Sequence, residues 1–579
     1  MLQDLSRQKL AVTIGQHSVA GRKPLNQDFH GTLVPVGRVL TLKGAAFALA
    51  DGISSSPVAH VAAETAVKSF LDDYYCTSDT WTVKIAASRV IAAANSWLNA
   101  QNSGTSDRNR GYLTTFCALV LKGRQAHVFH VGDSRVWRLV DGSLEQLTND
   151  HRVELSAEES YLARALGLSA SVEIDYRRVE IEAGDVFVLT TDGVHDHVPP
   201  RALAACVAEA ADLDKAARDI VALALSNGSA DNLTIQIVRI DALPPTDADT
   251  ALGEADALQP AALPQPPCDF EGYRILRSLH ASSRSHLFLA TDLESGDRVA
   301  LKVPSIGLRD NADHLRRFAM EEWIARRIYS PHVVSPAAVP RQRKSLYIAT
   351  EYIEGQTLRQ WMADNPAPSL ETVRGIVEQV ARGLRAFHRK EMLHQDLRPE
   401  NVMIDREGTV KIIDLGSVRV AGVLEALPDL DAGEMLGTVQ YSAPEYILGK
   451  DGSERSDLFS LGVIAYEMLT GRLPYGGQMA RARTPRAQAK VSYVPAPSLD
   501  PRVPVWVDGA LRKAVHPSPL RRQEALSEFL ADMRTPNPAF GTRGSIPLVE
   551  RDPVAFWKVV SVLLALVVLF LAFLLLEPS

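Results

Sequence analysis

The stretch His394-Gln395-Asp396-Leu397-Arg398-Pro399-Glu400-Asn401-Val402 decides the fold of the second half of this chain. It carries a carboxylate, Asp396, and an amide, Asn401, and a second carboxylate follows in Asp414-Leu415-Gly416. An aspartate can orient a hydroxyl group that attacks a phosphate, while an asparagine and a second aspartate can bind the Mg2+ that accompanies ATP. We therefore predict that Asp396 is catalytic and that Asn401 and Asp414 bind metal and ATP.

Two charged residues upstream complete this set. Lys302, at the end of Val299-Ala300-Leu301-Lys302, can hold the phosphates of ATP, and Glu321 can hold that lysine. In this order the motifs resemble those of the bacterial, eukaryotic-like Ser/Thr protein kinases, and the resemblance covers residues 270–533. It implies a bilobal kinase fold in which Lys302 is catalytic and binds ATP together with Glu321.

The same resemblance implies two further contacts with ATP, of which one is altered. Glu351 and Ile353 belong to the segment that would face adenine. Where the family has its glycine-rich loop, residues 280–287 read His-Ala-Ser-Ser-Arg-Ser-His-Leu, so that Ser282 stands among the replacements of three glycines. Glycine lets the backbone approach phosphates closely, so their loss should weaken ATP binding. Two interpretations stay open, an active kinase and a pseudokinase.

The activation segment suggests unusual regulation. Gln395 stands where the family has an arginine that receives an activation-loop phosphate, and residues 418–437 contain no Ser, Thr or Tyr. Our hypothesis is that this kinase is not switched by phosphorylation of its central activation loop.

In the first half of the chain, single aspartates recur beside Gly or Asn where strands are expected to end. They are Asp28, Asp51, Asp133, Asp192 and Asp231. Carboxylates are natural ligands for Mg2+ or Mn2+, and two ions about 3.5–4 Å apart can activate a water against a phosphate ester. Each Asp-Gly alone is more often a turn, so the prediction of phosphoester hydrolysis depends on the ordered set.

These aspartates lie in the blocks GRKPLNQD, FALADG, HVGDSRVWRL, LTTDGVHD and SADNLTIQIV. In order and spacing the blocks resemble the metal-dependent Ser/Thr protein phosphatases of type 2C (PPM) over nearly all of residues 10–240. The resemblance implies a β-sandwich flanked by helices and two Mg2+ or Mn2+ ions. Its implied metal ligands are Asp51, the Gly52 carbonyl, Asp192 and Asp231. Asp28 would be either a ligand or a hydrogen-bond acceptor next to the ligands, and Asp133 is a candidate ligand for a third ion.

Two details of this site stay open in the sequence. The family places an arginine three residues before the Asn of its first block, where this chain has Lys23, with Arg22 one residue earlier. We predict Arg22 as the catalytic residue that holds the substrate phosphate, since only arginine offers a bidentate fork. His195 could donate a proton, although a lone histidine in such a loop is more often simply solvated.

The chain has 579 residues, too many for one hydrophobic core. We predict an α+β multidomain protein whose parts follow one another along the chain. They are a phosphatase domain at 8–240, a Pro-, Ala- and acid-rich linker at 241–268, a kinase domain at 269–533, a spacer at 534–553 and a transmembrane helix at 554–576.

The transmembrane prediction depends on residues 559–576, a charge-free apolar run that spans roughly 27 Å at 1.5 Å per residue. Arg543, Arg551 and Lys558 precede it, which would leave both catalytic domains on the cytoplasmic side of the inner, or cytoplasmic, membrane.

The net charge of −7 gives no broad basic field for nucleic acid, so the expected partners are ATP, phosphorylated Ser/Thr proteins and kinase substrates. Nothing in the sequence predicts an oligomeric state. The leading hypothesis is a phosphatase and a kinase that set reversible phosphorylation of shared targets. The alternative is an active phosphatase regulated by an ATP-binding pseudokinase that acts as a binding module.

Overall fold

The computed structural model describes residues 9–104, 110–154, 160–208, 210–244, 258–308, 311–337, 343–427, 439–540 and 556–564. These residues form two compact units. The first draws on Met1–Ile353, Leu384–His394 and Asp414–Leu436, and the second on Glu354–Gly383, Gln395–Ile413 and Gly437–Ser579. The predicted linker at 241–268 and spacer at 534–553 lie partly outside the described residues.

The described residues before position 245 form twelve strands and six α-helices. The strands are β1 (Ala11–Val19), β2 (Asp28–Leu33), β3 (Ala45–Asp51), β4 (Phe116–Lys122), β5 (Gln125–Val131), β6 (Arg135–Val140), β7 (Ser143–Gln146), β8 (Arg152–Glu154), β9 (Ser160–Leu162), β10 (Asp175–Glu180), β11 (Val186–Thr190) and β12 (Leu233–Ala242). The helices are α1 (Arg38–Lys43), α2 (Ala59–Cys76), α3 (Val83–Gln101), α4 (Asp192–His195), α5 (Pro200–Ala208) and α6 (Leu213–Ser226).

Two antiparallel sheets of this region pack face to face. One has the strand order β1-β12-β11-β6-β7 and the other β10-β5-β4-β3-β2. Because side chains alternate along a strand, Phe47 and Leu49 of β3 face Phe187 and Leu189 of β11 in a common core. The predicted β-sandwich is therefore present.

Helices cover the outer faces of both sheets. Ala46, Ala48 and Ala50 of β3, which point away from the sandwich core, pack in a second cluster with α2 and α3. Val188 of β11 and Ile235 of β12 pack in a third cluster with α5 and α6. The layers are helix, sheet, sheet and helix, with strand ends and their loops along one edge.

The rest of the chain begins with strands and continues with helices. The strands are β13 (Gln259–Pro260), β14 (Cys268–Phe270), β15 (Tyr273–Ala281), β16 (Ser285–Asp292), β17 (Arg298–Pro304), β18 (Ser345–Leu346), β19 (Ile348–Glu351), β20 (Gly355–Thr357), β21 (Met392–Leu393), β22 (Val402–Asp405), β23 (Val410–Ile412) and β24 (Arg419–Val420). The helices are α7 (Ala312–Ala325), α8 (Leu358–Asp364), α9 (Leu370–His388), α10 (Ala421–Ala426), α11 (Pro444–Ile447), α12 (Glu454–Thr470), α13 (Gln478–Arg481), α14 (Pro485–Gln488), α15 (Ala496–Leu499), α16 (Val505–Ala514) and α17 (Leu526–Arg534).

The first unit contains a small sheet with the order β14-β15-β16-β17-β19. Alternate residues of β17, among them Val299, Leu301 and Val303, are buried in its core. Lys302 lies between two of these buried residues and therefore points to the opposite face of the strand.

The second unit is built around α12, which is buried on almost every face. A helix that is apolar all round belongs in a core. Ser453 and Ser456 form a capping box at its start, and Gly471 ends it in the left-handed conformation. The side chains of Glu445 and Arg522 form a buried ion pair in this unit, with 2.7 Å between Oε2 and Nη2.

In the part of the chain that the structure describes, every helix is too short or too polar to cross a membrane. Residues 556–564 are helical, whereas the remainder of the predicted transmembrane helix at 554–576 lies outside the described residues.

Candidate active sites

The aspartates predicted in the first half of the chain meet at the edge of the sandwich. Asp28, at the start of β2, pairs across the sheet with Asp51, at the end of β3. Burial raises the pKa of Asp51 well above its usual range, and the nearby charges of Asp28, Asp192, Asp133 and Asp231 raise it further. The other four predicted carboxylates therefore all lie within electrostatic reach of Asp51.

Two oxygen atoms in this cluster have unmet bonding capacity. Asp28 Oδ2 accepts hydrogen bonds from Thr234 Oγ1 at 2.7 Å and Thr191 Oγ1 at 3.0 Å. Asp28 Oδ1 and Asp192 Oδ1 are buried, and no donor among the described residues reaches either atom. Burial raises the pKa of Asp28 to about 7 and that of Asp192 to about 6. Buried, crowded carboxylate oxygens of this kind fit a hard divalent cation.

Arg152, which the sequence analysis missed, lies against the same cluster. Its Nε donates to Asp133 Oδ2 at 2.7 Å and its Nη2 to Asp192 Oδ2 at 2.9 Å. Nothing adjacent in the sequence signals this role, because both partners are distant along the chain. The guanidinium partly neutralises the two carboxylates.

Lys23, rather than Arg22, reaches the carboxylates. Its Nζ contacts Asp231 Oδ1 and donates to Ser54 Oγ at 2.6 Å. Arg22 is exposed. The catalytic role of Arg22 stays a prediction. This placement does not favour it, because Lys23, and not Arg22, lies beside an aspartate of the cluster.

Both glycines of the Asp-Gly pairs are required by close packing. A Cβ atom at Gly52 would lie 2.6 Å from the Ala59 carbonyl oxygen, and one at Gly193 would lie 2.0 Å from that of Asn232. Real Cβ atoms do not approach carbonyl oxygens so closely. These glycines let the backbone beside Asp51 and Asp192 pack closely against neighbouring segments. The role of the Gly52 carbonyl as a metal ligand stays a prediction.

His195 is buried and not solvated, so the expectation of a solvated side chain is wrong. Its Nδ1 lies 3.0 Å from Thr190 Oγ1. Burial lowers its pKa to about 3, so the ring is neutral at physiological pH. The imidazole packs beside Trp137, which donates a hydrogen bond to the same threonine.

A separate group of nitrogen and oxygen atoms from His130, His151 and Asp175 lies within 4.8 Å. Arg164 Nη1 already lies 3.0 Å from Asp175 Oδ1 and 3.4 Å from His151 Nε2. This guanidinium, which also pairs with Glu173 at 2.7 Å, partly neutralises the carboxylate of the group.

In the first unit, the predicted ATP-binding charges are in contact. Lys302 Nζ lies 2.5 and 2.8 Å from the two carboxylate oxygens of Glu321 and 3.5 Å from Asp414 Oδ1. Burial opposes ionisation of all three and raises the pKa of Glu321 to about 7, but Lys302 holds the pKa of Asp414 below its usual range, and the two carboxylates raise the pKa of Lys302. The lysine therefore stays protonated.

In the second unit, Asn401 Nδ2 donates to the Asp396 carbonyl at 2.9 Å and to Asp396 Oδ2 at 3.1 Å. Gln395 has a positive φ of 64° and donates its backbone N–H to Asp457 Oδ1 at 3.1 Å. These bonds fix the backbone on both sides of Asp396 and orient its carboxylate.

The loop that replaces the glycine-rich segment is closed by its own serine. Ser282 Oγ accepts hydrogen bonds from the backbone N–H groups of Arg284, at 3.2 Å, and Ser285, at 3.1 Å. It also donates to the Ser285 carbonyl at 3.0 Å. A phosphate would compete with Ser282 for these amides, and whether Ser282 contacts ATP stays a prediction.

The predicted adenine-facing segment begins at Glu351, the last residue of β19. Ile353 is buried. Glu351 Oε1 accepts from the Ser335 backbone N–H at 2.8 Å, and the Glu351 N–H donates to the Ser335 carbonyl at 3.0 Å. The side chain of Glu351 is thus tied to the neighbouring loop, and an adenine contact by this segment is a prediction.

Comparison with protein families gives two matches along the chain. Residues 16–226 match the family described as Protein phosphatase 2C, and residues 273–539 match the family described as Protein kinase domain.

Among curated proteins, the chain is 29% identical over 271 residues to serine/threonine-protein kinase PrkC of Bacillus subtilis, which covers 45% of this chain and 40% of the relative. It is 34% identical over 210 residues to the serine/threonine-protein kinase PknA of Corynebacterium glutamicum, which covers 35% of this chain and 44% of the relative. The chain thus spans less than half the length of these two relatives.

Among solved structures, the chain is 25% identical to the PknI kinase domain of Mycobacterium tuberculosis, with 47% of this chain and 98% of that chain covered and a TM-score of 0.37. It is 23% identical to the serine/threonine phosphatase PstP/Ppp of Mycobacterium tuberculosis, with 40% and 99% covered and a TM-score of 0.35.

Proposed function

Because the chain carries both a protein phosphatase 2C domain and a Ser/Thr protein kinase domain, we propose that it phosphorylates and dephosphorylates Ser/Thr residues of shared protein targets. The observation that carries this proposal is that several of the charged residues proposed for each chemistry lie close to one another. Five carboxylates meet in the phosphatase domain, and Lys302 contacts Glu321 and Asp414 in the kinase domain.

In the phosphatase domain, Asp51, Asp192 and Asp231 would hold two Mg2+ or Mn2+ ions, with the Gly52 carbonyl as a further ligand and Asp133 serving a third ion. With ions bound, the site gains a nucleophilic water and charge that neutralises the phosphate. Asp28, fixed by two threonine hydroxyls, would orient the ligands. Lys23, released from Asp231, would hold the phosphate of the substrate.

In the kinase domain, Lys302 would hold the phosphates of ATP while Glu321 keeps its ammonium group in place. Asn401 and Asp414 would bind Mg2+, and Asp396 would accept the proton of the substrate hydroxyl. The bonds from Asn401 to Asp396 support this role, since they orient the carboxylate before the substrate arrives.

A second candidate function is favoured by one observation. Ser282 occupies the backbone amides of the loop that would bind phosphate, which fits a pseudokinase that binds ATP and regulates the phosphatase domain. Both candidates predict ATP binding, but only the first predicts transfer.

We also place the protein at the inner membrane. The charge-free run at 559–576 is long enough to span the hydrocarbon core, and the basic residues before it favour a cytoplasmic position for both catalytic domains. Recovery of the full chain in the soluble fraction after lysis, without detergent, would refute this.

The test uses γ-labelled ATP, Mg2+ and a generic protein acceptor with the full chain. The proposal expects ADP formation in the parent chain and label on the acceptor in Asp231→Ala, both lost when Asp414→Ala is introduced, and removal of phosphate from a phosphoprotein that vanishes in Asp231→Ala. ATP binding without transfer in the parent chain would support the pseudokinase instead.

A further inference from the structure

Helix α3 of the phosphatase domain begins where two carboxylates of the kinase domain lie, all within the first unit. Glu391 Oε2 accepts hydrogen bonds from the Thr82 backbone N–H at 2.6 Å and from the Thr82 hydroxyl at 3.2 Å. Glu425 Oε2 accepts from the Val83 backbone N–H at 2.8 Å. A helix N-terminus has free N–H groups and the positive end of the helix dipole, so it favours negative charge. This helix end therefore binds both glutamates.

A buried lysine secures the same contact. Lys122 Nζ, at the end of β4, lies 3.1 Å from Glu425 Oε2 and donates to the Gly422 carbonyl at 2.7 Å. The side chain of Lys122 is 1% exposed and that of Glu425 is 8% exposed. A buried charge without a partner lowers stability. The Lys122 and Glu425 pair therefore stabilises this contact between the phosphatase and kinase domains.

The backbone fits closely at this point. Gly422, in α10, donates its N–H to the Thr80 carbonyl at 3.0 Å. A Cβ atom at Gly422 would lie 2.5 Å from the Trp81 carbonyl oxygen. Trp81 Nε1 in turn donates to the Arg389 carbonyl at 3.0 Å. The segment that follows Asp414 in the kinase domain is thus held by backbone as well as by charge.

A second contact holds the end of α7, the helix that carries Glu321. Arg327, two residues beyond α7, donates to both carboxylate oxygens of Asp79, with Nε to Oδ1 at 3.0 Å and Nη2 to Oδ2 at 2.8 Å. Its guanidinium stacks 3.7 Å from the ring centre of Trp323. Paired hydrogen bonds of this kind fix direction as well as distance.

The phosphatase domain therefore holds the two elements that a kinase must position, namely the helix with the lysine-binding glutamate and the segment after the metal-binding aspartate. In this docked arrangement Lys302 contacts both Glu321 and Asp414. The chain also lacks the usual means of ordering this segment, since residues 418–437 contain no hydroxyl side chain and Gln395 replaces the arginine.

We propose that the phosphatase domain is an activating partner of the kinase domain in the same chain. The surface formed by Asp79–Val83 and Lys122 docks on Arg327, Glu391 and Glu425, and this docking replaces activation-loop phosphorylation as the means of ordering the kinase. The proposal rests on the proposed kinase function.

The test reverses the charges of the partly exposed pair Asp79 and Arg327, which leaves both cores intact. The variants are Asp79→Arg, Arg327→Asp and the double variant in the full chain. The matched control is Arg239→Asp, which breaks an ion pair with Asp241 inside the phosphatase domain. Kinase turnover is measured as ADP formation with a generic protein acceptor, because ADP accumulates whether or not the phosphatase removes the product.

Each single variant should lower ADP formation by about tenfold, within the usual range of coupling between sites, and the double variant should restore it to within about twofold. Amide hydrogen exchange at residues 419–427 should rise in the single variants and fall again in the double variant. The control should change neither quantity, and p-nitrophenyl phosphate hydrolysis should persist throughout.

Unchanged ADP formation and exchange in the single variants, or faster ADP formation, would overturn the proposal. So would impaired single variants that the double variant does not rescue. A parent chain without ATP turnover would refute the kinase half of the proposed function and the activating role with it, while exchange at 419–427 would still decide whether the contact forms.

Discussion

Lys302 and Glu321 form a short ion pair, with 2.5 Å between Nζ and Oε1, and the glutamate side chain is only 9% exposed. Lys302 also lies 3.5 Å from Asp414 Oδ1, so a single ammonium group contacts both carboxylates. This arrangement ties the helix α7 to the strand β17.

The first prediction concerns Glu321. Replacing it by Gln keeps the size and one hydrogen bond but removes the charge that positions Lys302, so kinase turnover should fall by about 10²-fold, as when a preorganised charge is lost. Phosphatase activity of the same protein provides the internal control. Kinase turnover that stays at the parent level would show that the ion pair does not position ATP.

The second prediction concerns pH, metal and Asp28. Burial raises the folded-state pKa of Asp28 to about 7, above its value in the unfolded chain, so its contribution to stability is present at low pH and is lost as pH rises through 7. In metal-free protein, Asp28→Asn should therefore raise the urea midpoint at both pH 5 and pH 8, and by more at pH 8, because the contribution is full only below about pH 4.

Mn2+ should stabilise the parent protein most at high pH, where the carboxylates have lost their protons. The ion competes with protons for the buried carboxylates, so it should stabilise the parent more at pH 8 than at pH 6, and less in Asp28→Asn. A urea midpoint that responds to Mn2+ equally at both pH values would contradict the metal assignment.

The third prediction separates Lys23 from Arg22. Lys23 contacts Asp231 and Ser54, whereas Arg22 is exposed. Lys23→Ala should lower kcat/KM for a phosphopeptide by about tenfold, the loss of one charged hydrogen bond, and Arg22→Ala should change it by less than about twofold. The reverse ranking would restore Arg22 as the residue that holds the phosphate.

The fourth prediction concerns the buried pair Glu445 and Arg522 in the second unit. Glu445→Gln leaves the guanidinium without its charged partner and should lower the free energy of unfolding by about 3 kcal/mol. Arg502→Gln breaks an exposed pair with Asp500 in the same unit and should destabilise the protein far less. Equal effects in urea unfolding would contradict the structural role of the buried pair.

Local patterns predicted much of the fold. The apolar residues of α9 (Leu370–His388) recur in the sequence at three- and four-residue spacing, as in a helix with one buried face. Such patterns are visible because a strand or helix buries residues at its own period. The Lys302 and Glu321 pair was also predictable, since each residue belongs to a recognisable motif.

Contacts between distant segments were not predictable in this way. Arg152 lies beside Asp133 and Asp192 only because β8 returns to the edge of the sandwich. His195, in α4, is buried and packs beside Trp137 of β6, which is distant along the chain. Neither position has a local signal, and the same holds for Glu425, whose partner Lys122 is in the other domain.

The central claim is that one chain adds and removes phosphate at the same protein sites. Its most direct test is a phosphoproteome comparison of cells that carry the parent chain, Asp192→Ala or Lys302→Ala. We predict that a common set of Ser/Thr sites gains phosphate in Asp192→Ala and loses it in Lys302→Ala. Shifts at unrelated sites, or no loss in Lys302→Ala, would contradict the account.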